Sequence, residues 1–176
     1  MSRTILDRVR PTAPASNLPG LGWLLHVDGD RAAALEQFVS GWYPAVEQPP
    51  SPSPAPTGSR SLPGRLQRLY LLAEQRPSVL GHHNHILPWH EVSTDPFGEL
   101  LIFGAENQGS FYRALPWTLD EAEDDPAVWF CVFDETPIAE QESLSGYLLQ
   151  FSLFEAAMSA DYVGLAHSLS DHQERS

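Results

Sequence analysis

The sequence predicts an α+β fold: a single domain with a mixed, mostly antiparallel sheet flanked by helices. Three observations carry that prediction. Apolar residues recur with a helical period up to about residue 75. Between residues 84 and 133 they give way to short aromatic and β-branched runs bounded by Pro, Gly or Asp. From residue 143 the helical period returns. Helices, then neighbouring short strands, then a helix is an α+β order rather than an alternating one.

Taken in order, residues 1–29 read as an irregular N-terminal extension with Pro11, Pro14 and Pro19. It closes on GLGWLLHV, a short strand or packed extended segment. In DGDRAAALEQFVSGWY, residues Leu35, Phe38, Val39, Trp42 and Tyr43 share one helix face, Asp28 or Asp30 suits the N-cap, and Pro44 stops the helix. Residues 44–61, PAVEQPPSPSPAPTGSRS, read as a mobile, polyproline-biased loop, and their PxxP spacing fits an SH3-type ligand. LPGRLQRLYLLAEQ is a second helix with Pro63 in its first turn and Leu62, Leu66, Leu69, Tyr70 and Ala73 facing inward. The strands follow as NHILPWHEV, GELLIFGA, GSFYRAL and AVWFCVFD. Continuous apolar runs in LLIF and AVWFCVF point to central strands covered on both faces. SLSGYLLQFSLFEAAMS closes the fold as a helix capped by Ser143, with Leu144, Leu148, Phe151, Phe154, Glu155 and Met158 near helical spacing. Residues 161–176 read as a tail.

The 176 residues suit one domain able to bury roughly 70% of its unfolded surface. No window approaches about 18 consecutive apolar residues, and the N-terminus has no apolar leader region, so the expectation is a cytoplasmic protein outside the membrane. A single cysteine excludes an internal disulfide framework.

Charge is the most informative total. The formal net charge is -13, every basic residue is arginine, and no Lys or Arg lies between Arg113 and Arg175. That interval holds Asp120, Glu121, Glu123, Asp124, Asp125, Asp134 and Glu135. Such a surface repels nucleic-acid phosphates and attracts a basic protein, speeding encounter by steering. It also keeps a protein soluble without any partner.

Candidate chemistry is sparse. GHHNHILPWH places His82, His83, His85 and His90 within nine positions, and on a strand His83 and His85 point the same way, with His90 or a distant carboxylate as a third metal ligand. No HExxH or comparable spacing accompanies them, so no metal and no cofactor is expected. Cys131 alternates with Trp129 and Phe133 in an apolar run, which raises a thiol pKa and makes it a small core residue. GxSxG, P-loop and GxGxxG patterns are absent, and no catalytic residue is assigned.

IFGAENQGSFYRAL carries four polar residues at the turning point of an apolar run. Asn107 and Gly109 tolerate positive φ, while Glu106 and Gln108 can bond open backbone amides, so the four read as a structural corner. Of the nearby aromatics, Trp89 and Tyr112 are candidate interface anchors and Trp117 reads as core.

LPGRLQRLYLLA, GELLIFGAENQG, FYRALPW, DDPAVWF and SLSGYLL, in that order, resemble the SUKH superfamily, more narrowly its Smi/Knr-like branch. The likeness spans about residues 30–160 and departs from the family pattern at the 44–61 insert and the 82–90 histidines. It implies a cytoplasmic immunity protein of bacteria, monomer or homodimer, that neutralises a polymorphic toxin, often a nuclease, by direct binding. The acidic residues named above would then cap a basic toxin domain. Two alternatives stand beside it: a regulatory scaffold using the Pro-rich loop, and a metal-dependent enzyme built on the histidines.

Overall fold

Asp30 starts the first helix. Its carboxylate accepts from Ala33 N at 3.1 Å, satisfying one of the amides a helix start leaves open. The computed structural model describes residues 20–47, 61–117 and 123–173, the stretch beyond residue 159 by its backbone alone. In it, α1 spans Arg31–Trp42 and buries Ala34, Leu35, Phe38 and Val39. Upstream, Gly22–His26 forms a 3-10 turn where the sequence predicts extended chain. Leu24 N bonds Leu21 O at 3.1 Å, so the turn closes its own amides and needs no strand partner. Trp23 anchors it edge-on to Phe38, 5.2 Å between ring centroids, while Leu24 and Leu25 stay exposed.

The second helix, α2, covers Gly64–Gln75, with Pro63 as its N-cap and Leu66, Leu69 and Ala73 buried. Its arginines lie off that stripe, as predicted: Arg65 pairs with Asp124 at 3.2 Å and Arg68 with Glu36 at 2.5 Å. Most of the Pro-rich loop, residues 48–60, lies outside the described residues.

Among the described residues six strands follow: β1 (Asn84–Ile86), β2 (Ser93–Thr94), β3 (Leu100–Glu106), β4 (Phe111–Pro116), β5 (Ala127–Val132) and β6 (Ile138–Ser143). They are ordered β1-β3-β4-β5-β6 with β2 also on β3, and every described pairing is antiparallel. The expected strand NHILPWHEV is divided. Leu87 N still bonds Phe103 O at 2.8 Å, but Pro88 offers no amide, and Trp89–Glu91 turns before β2.

The last helix, α3, runs Leu144–Gln173, past the point where a tail is predicted. It lies on one face of the sheet, with Tyr147 edge-on to Phe103 at 5.7 Å, and α1 and α2 pack against it. Phe38, Leu66, Leu69, Ile86, Phe103, Leu115, Val128, Leu144 and Leu148 form the centre of the core between these layers. Tyr43 is tied in by its hydroxyl, which donates to Ser152 O at 2.7 Å. Burial, reinforced by nearby Glu155, raises the Tyr43 pKa well above the ordinary tyrosine value.

Among the described residues, helices cover the central strands on one face. β3, β4 and β5 are interior strands, but the helical layer and the core cluster lie on one side. On the other, Ala114 and Cys131 are fully buried without belonging to that cluster, and the register sets them beside Trp129 and Tyr112. An apolar strand needs contact on both faces, and a second layer of helices is only one way to supply it. Among the described residues no helix is long and apolar enough to cross a membrane.

The start of α3 is held from a distance. Ser143 stands just before it, as predicted for a cap, but the carboxylate that accepts from the first-turn amide is that of Asp125. Asp125 takes Ser145 N at 2.6 Å and Ser145 Oγ at 2.7 Å. A carboxylate there satisfies an open donor and meets the positive end of the helix dipole. Asp125→Ala is expected to cost about 1–2 kcal/mol in urea denaturation, with Asp125→Asn retaining part of it. A loss below about 0.3 kcal/mol would show that Ser143 suffices as the cap.

Candidate functional site

The predicted partner-binding acids do not form one patch. Asp120 and Glu121 lie outside the described residues. Glu123, Asp124 and Asp125 precede β5, while Asp134 and Glu135 follow it. Six strand residues at about 3.3 Å each put roughly 20 Å between the two groups. Asp125 turns its carboxylate inward to cap α3, and Asp124 pairs with Arg65, so these two are engaged by the fold. Asp134 occupies the β5–β6 turn with φ 64, a region that Asp tolerates better than most residues, and Glu135 N bonds Val132 O at 3.2 Å. Glu123, Asp134 and Glu135 are exposed, and among the described residues no arginine pairs with them.

The described arginines are all engaged elsewhere. Besides the two on α2, Arg31 pairs with Glu142, Arg76 donates to Tyr43 O at 3.1 Å, and Arg113 pairs with Glu140 at 3.1 Å. Arg113 lies beneath α3, with its guanidinium carbon 4.9 Å from the Phe111 ring centroid, 4.6 Å from Phe130 and 5.7 Å from Tyr147. Beside it opens a cavity of about 250 Å³ lined by Asn84, Phe111, Arg113, Glu140, Tyr147, Gln150 and Phe154, among others. Burial pushes the Tyr147 hydroxyl up to about 12; Arg113 works against that and Glu140 with it. One cation and one carboxylate therefore largely cancel in the cavity, and the rings around Arg113 add the attraction of aromatic faces for a cation.

The histidine segment is organised by a residue far away in sequence. Glu155 of α3, 1% exposed, accepts from the backbone amides of His82 (2.8 Å), His83 (3.0 Å) and Asn84 (2.9 Å). Burial alone would raise this carboxyl; the three amides and His83 outweigh it and hold the pKa below the usual glutamate range. His83 precedes β1, with Nδ1 3.4 Å from Glu155, His85 pairs in β1 with Ala105, and His90 faces Glu91 at 3.6 Å. The three candidate ligands His83, His85 and His90 are not gathered into a set. Among the described residues no group of three or more His, Cys, Asp or Glu side chains is placed to hold a metal ion.

The ENQG corner joins β3 to β4. Gly109 N bonds Glu106 O at 2.9 Å, and the Glu106 carboxylate accepts from Ser110 N at 3.2 Å. Gly109 carries the positive φ (73), whereas Asn107 does not adopt one. Of the three nearby aromatics, Trp89 packs edge-on to Tyr70 at 5.3 Å against the core and Trp117 also packs against the core. Tyr112 instead faces away from the helices and meets Phe133 at 5.5 Å. Burial raises the Cys131 thiol pKa, as the apolar run predicts.

Sequence reasoning did not find the Glu155 nest, the Arg113 sandwich or the helix-free aromatic face. The one available signal was a glutamate on the otherwise apolar face of α3. Comparisons with protein-family models, with curated proteins and with solved structures return no match for this chain.

Proposed function

We propose that this chain is a non-enzymatic binding protein of the immunity type, which captures a basic toxin domain in the cytoplasm and blocks it by contact. The observation that carries the reading is the distribution of charge. With a formal net charge of -13, the described arginines are all held by carboxylates or a carbonyl, leaving Glu123, Asp134 and Glu135 exposed without a counter-charge among the described residues. Support also comes from the ordered sequence motifs that resemble the Smi/Knr-like branch and from an α+β layout of the kind that resemblance implies.

Unneutralised acids at a surface raise the encounter rate with a cationic protein and make it sensitive to ionic strength. The test is co-expression with the basic C-terminal domain of a long secreted protein encoded beside this gene. Rescue of growth is expected. Association of the purified pair should slow about tenfold or more between low and high salt. Asp134→Asn with Glu135→Gln should lower the rate at low salt and leave the melting temperature unchanged. No rescue, or association indifferent to salt, overturns the reading.

A further inference from the structure

We infer that the basic partner seats on the helix-free face of the sheet, over Tyr112, Trp129 and Phe133, with the acidic turns as its rim. This rests on the binding reading above and names the surface that serves it. The register fixes which side chains share the face. Tyr112 pairs with Cys131 and Ala114 with Trp129, while Ile102 pairs with Ala114. Alternation brings Phe133 to the same side, and its ring meets Tyr112 at 5.5 Å. Trp129 stands between Ala114 on one neighbouring strand and Ala139 on the other. Two small residues flank the one indole on this face.

None of Ile102, Tyr112, Trp129 and Phe133 belongs to the core cluster or packs against it. Phe133 is 65% exposed. Among the described residues, the ring contact on this face is between two of its own members, with none to a helix. Trp and Tyr anchors inside a charged rim are the composition of binding hot spots.

Charge selects the occupant. Asp134 and Glu135 follow Phe133 directly, and Glu123 stands exposed at the other end of β5, next to an Asp124 that Arg65 already pairs. Of the described arginines, Arg31, Arg65 and Arg68 lie on α1 and α2, Arg76 caps the end of α2, and Arg113 is on the opposite side of β4 under α3; Arg65 reaches Asp124, and none pairs with Glu123, Asp134 or Glu135. A second copy of this chain would bring the unpaired carboxylates of this rim, Asp134 and Glu135 above all, against one another, which is unfavourable. A basic protein meets opposite charge at the rim and aromatic faces at the centre, where an arginine can also stack.

The test uses the full chain, 15N-labelled, with two defined probes: an octa-arginine peptide and an alternating Arg-Trp peptide of the same length. Both are expected to shift the amides around Asp134 and Glu135. The Arg-Trp peptide should also shift the β4 and β5 amides and the Trp129 indole signal, and bind about tenfold more tightly. Phe133→Ala should remove that tenfold advantage while the octa-arginine affinity and the melting temperature stay as they were. Equal affinities with shifts confined to the acidic turns overturn the aromatic seat and leave the acidic capture standing. Shifts centred on the Arg113 cavity, or a face silent because another segment or a second copy covers it, overturn the seat equally. No shift with either peptide sinks the acidic reading itself.

Discussion

Glu155→Ala is expected to cost about 4 kcal/mol in urea denaturation, a large part of the 5–15 kcal/mol that holds a typical domain together. The carboxylate is buried and accepts from three consecutive backbone amides, of His82, His83 and Asn84. Alanine leaves those part-buried donors without their acceptor, and each orphaned N–H costs on the order of 1–3 kcal/mol before relaxation or access of water. Glu155→Gln keeps one acceptor oxygen and loses the charge, so an intermediate loss is expected. The same site sets an acid limit. Its folded pKa lies below the unfolded value of about 4.3, so its contribution is complete above that value and is lost as pH falls through the window beneath it. Glu155→Gln should flatten the pH dependence of stability there. A Glu155→Ala protein within about 1 kcal/mol of the parent would mean that the amides find another partner.

Gly81→Ala is expected to cost about 3 kcal/mol, for reasons that converge on the same three amides. Gly81 adopts φ 92, where a side chain is strained. An added Cβ would stand 2.0 Å from Asn84 O and 2.6 Å from Phe151 Cζ, so the loop would have to move off α3. Moving it displaces the amides from Glu155. Gly29→Ala is the control: a Cβ there meets nothing within 4 Å, and a change within about 0.5 kcal/mol is expected. Equal denaturation midpoints for the two variants would show that the 81–84 loop is not tightly docked.

Much of the fold is legible in the chain, for a local reason. Asp30 and the spacing of Leu35, Phe38 and Val39 define α1, because cap and period are encoded within a dozen neighbouring residues. The stripe of α2, with its arginines turned away, follows from the same rule. Gly109 bends the corner because the backbone there requires positive φ. The GLGWLLHV segment is ambiguous in sequence, since a single buried Trp leaves no period to distinguish a turn from a strand.

The candidate site was less legible. Its acids are plain in the sequence, but not that β5 separates them, nor that Asp125 spends its carboxylate on α3.

Local pattern along the chain sets the kind of most elements, α1, α2 and the central strands among them, and the excess of acid. Packing assigns each polar group its partner: Glu155 with amides 71 to 73 positions away, Arg113 with Glu140 among three rings. It also sets which face of the sheet the described helices cover. Period and propensity act over one or two turns of chain, whereas a buried carboxylate must find donors wherever the packing delivers them. That delivery depends on how the layers close.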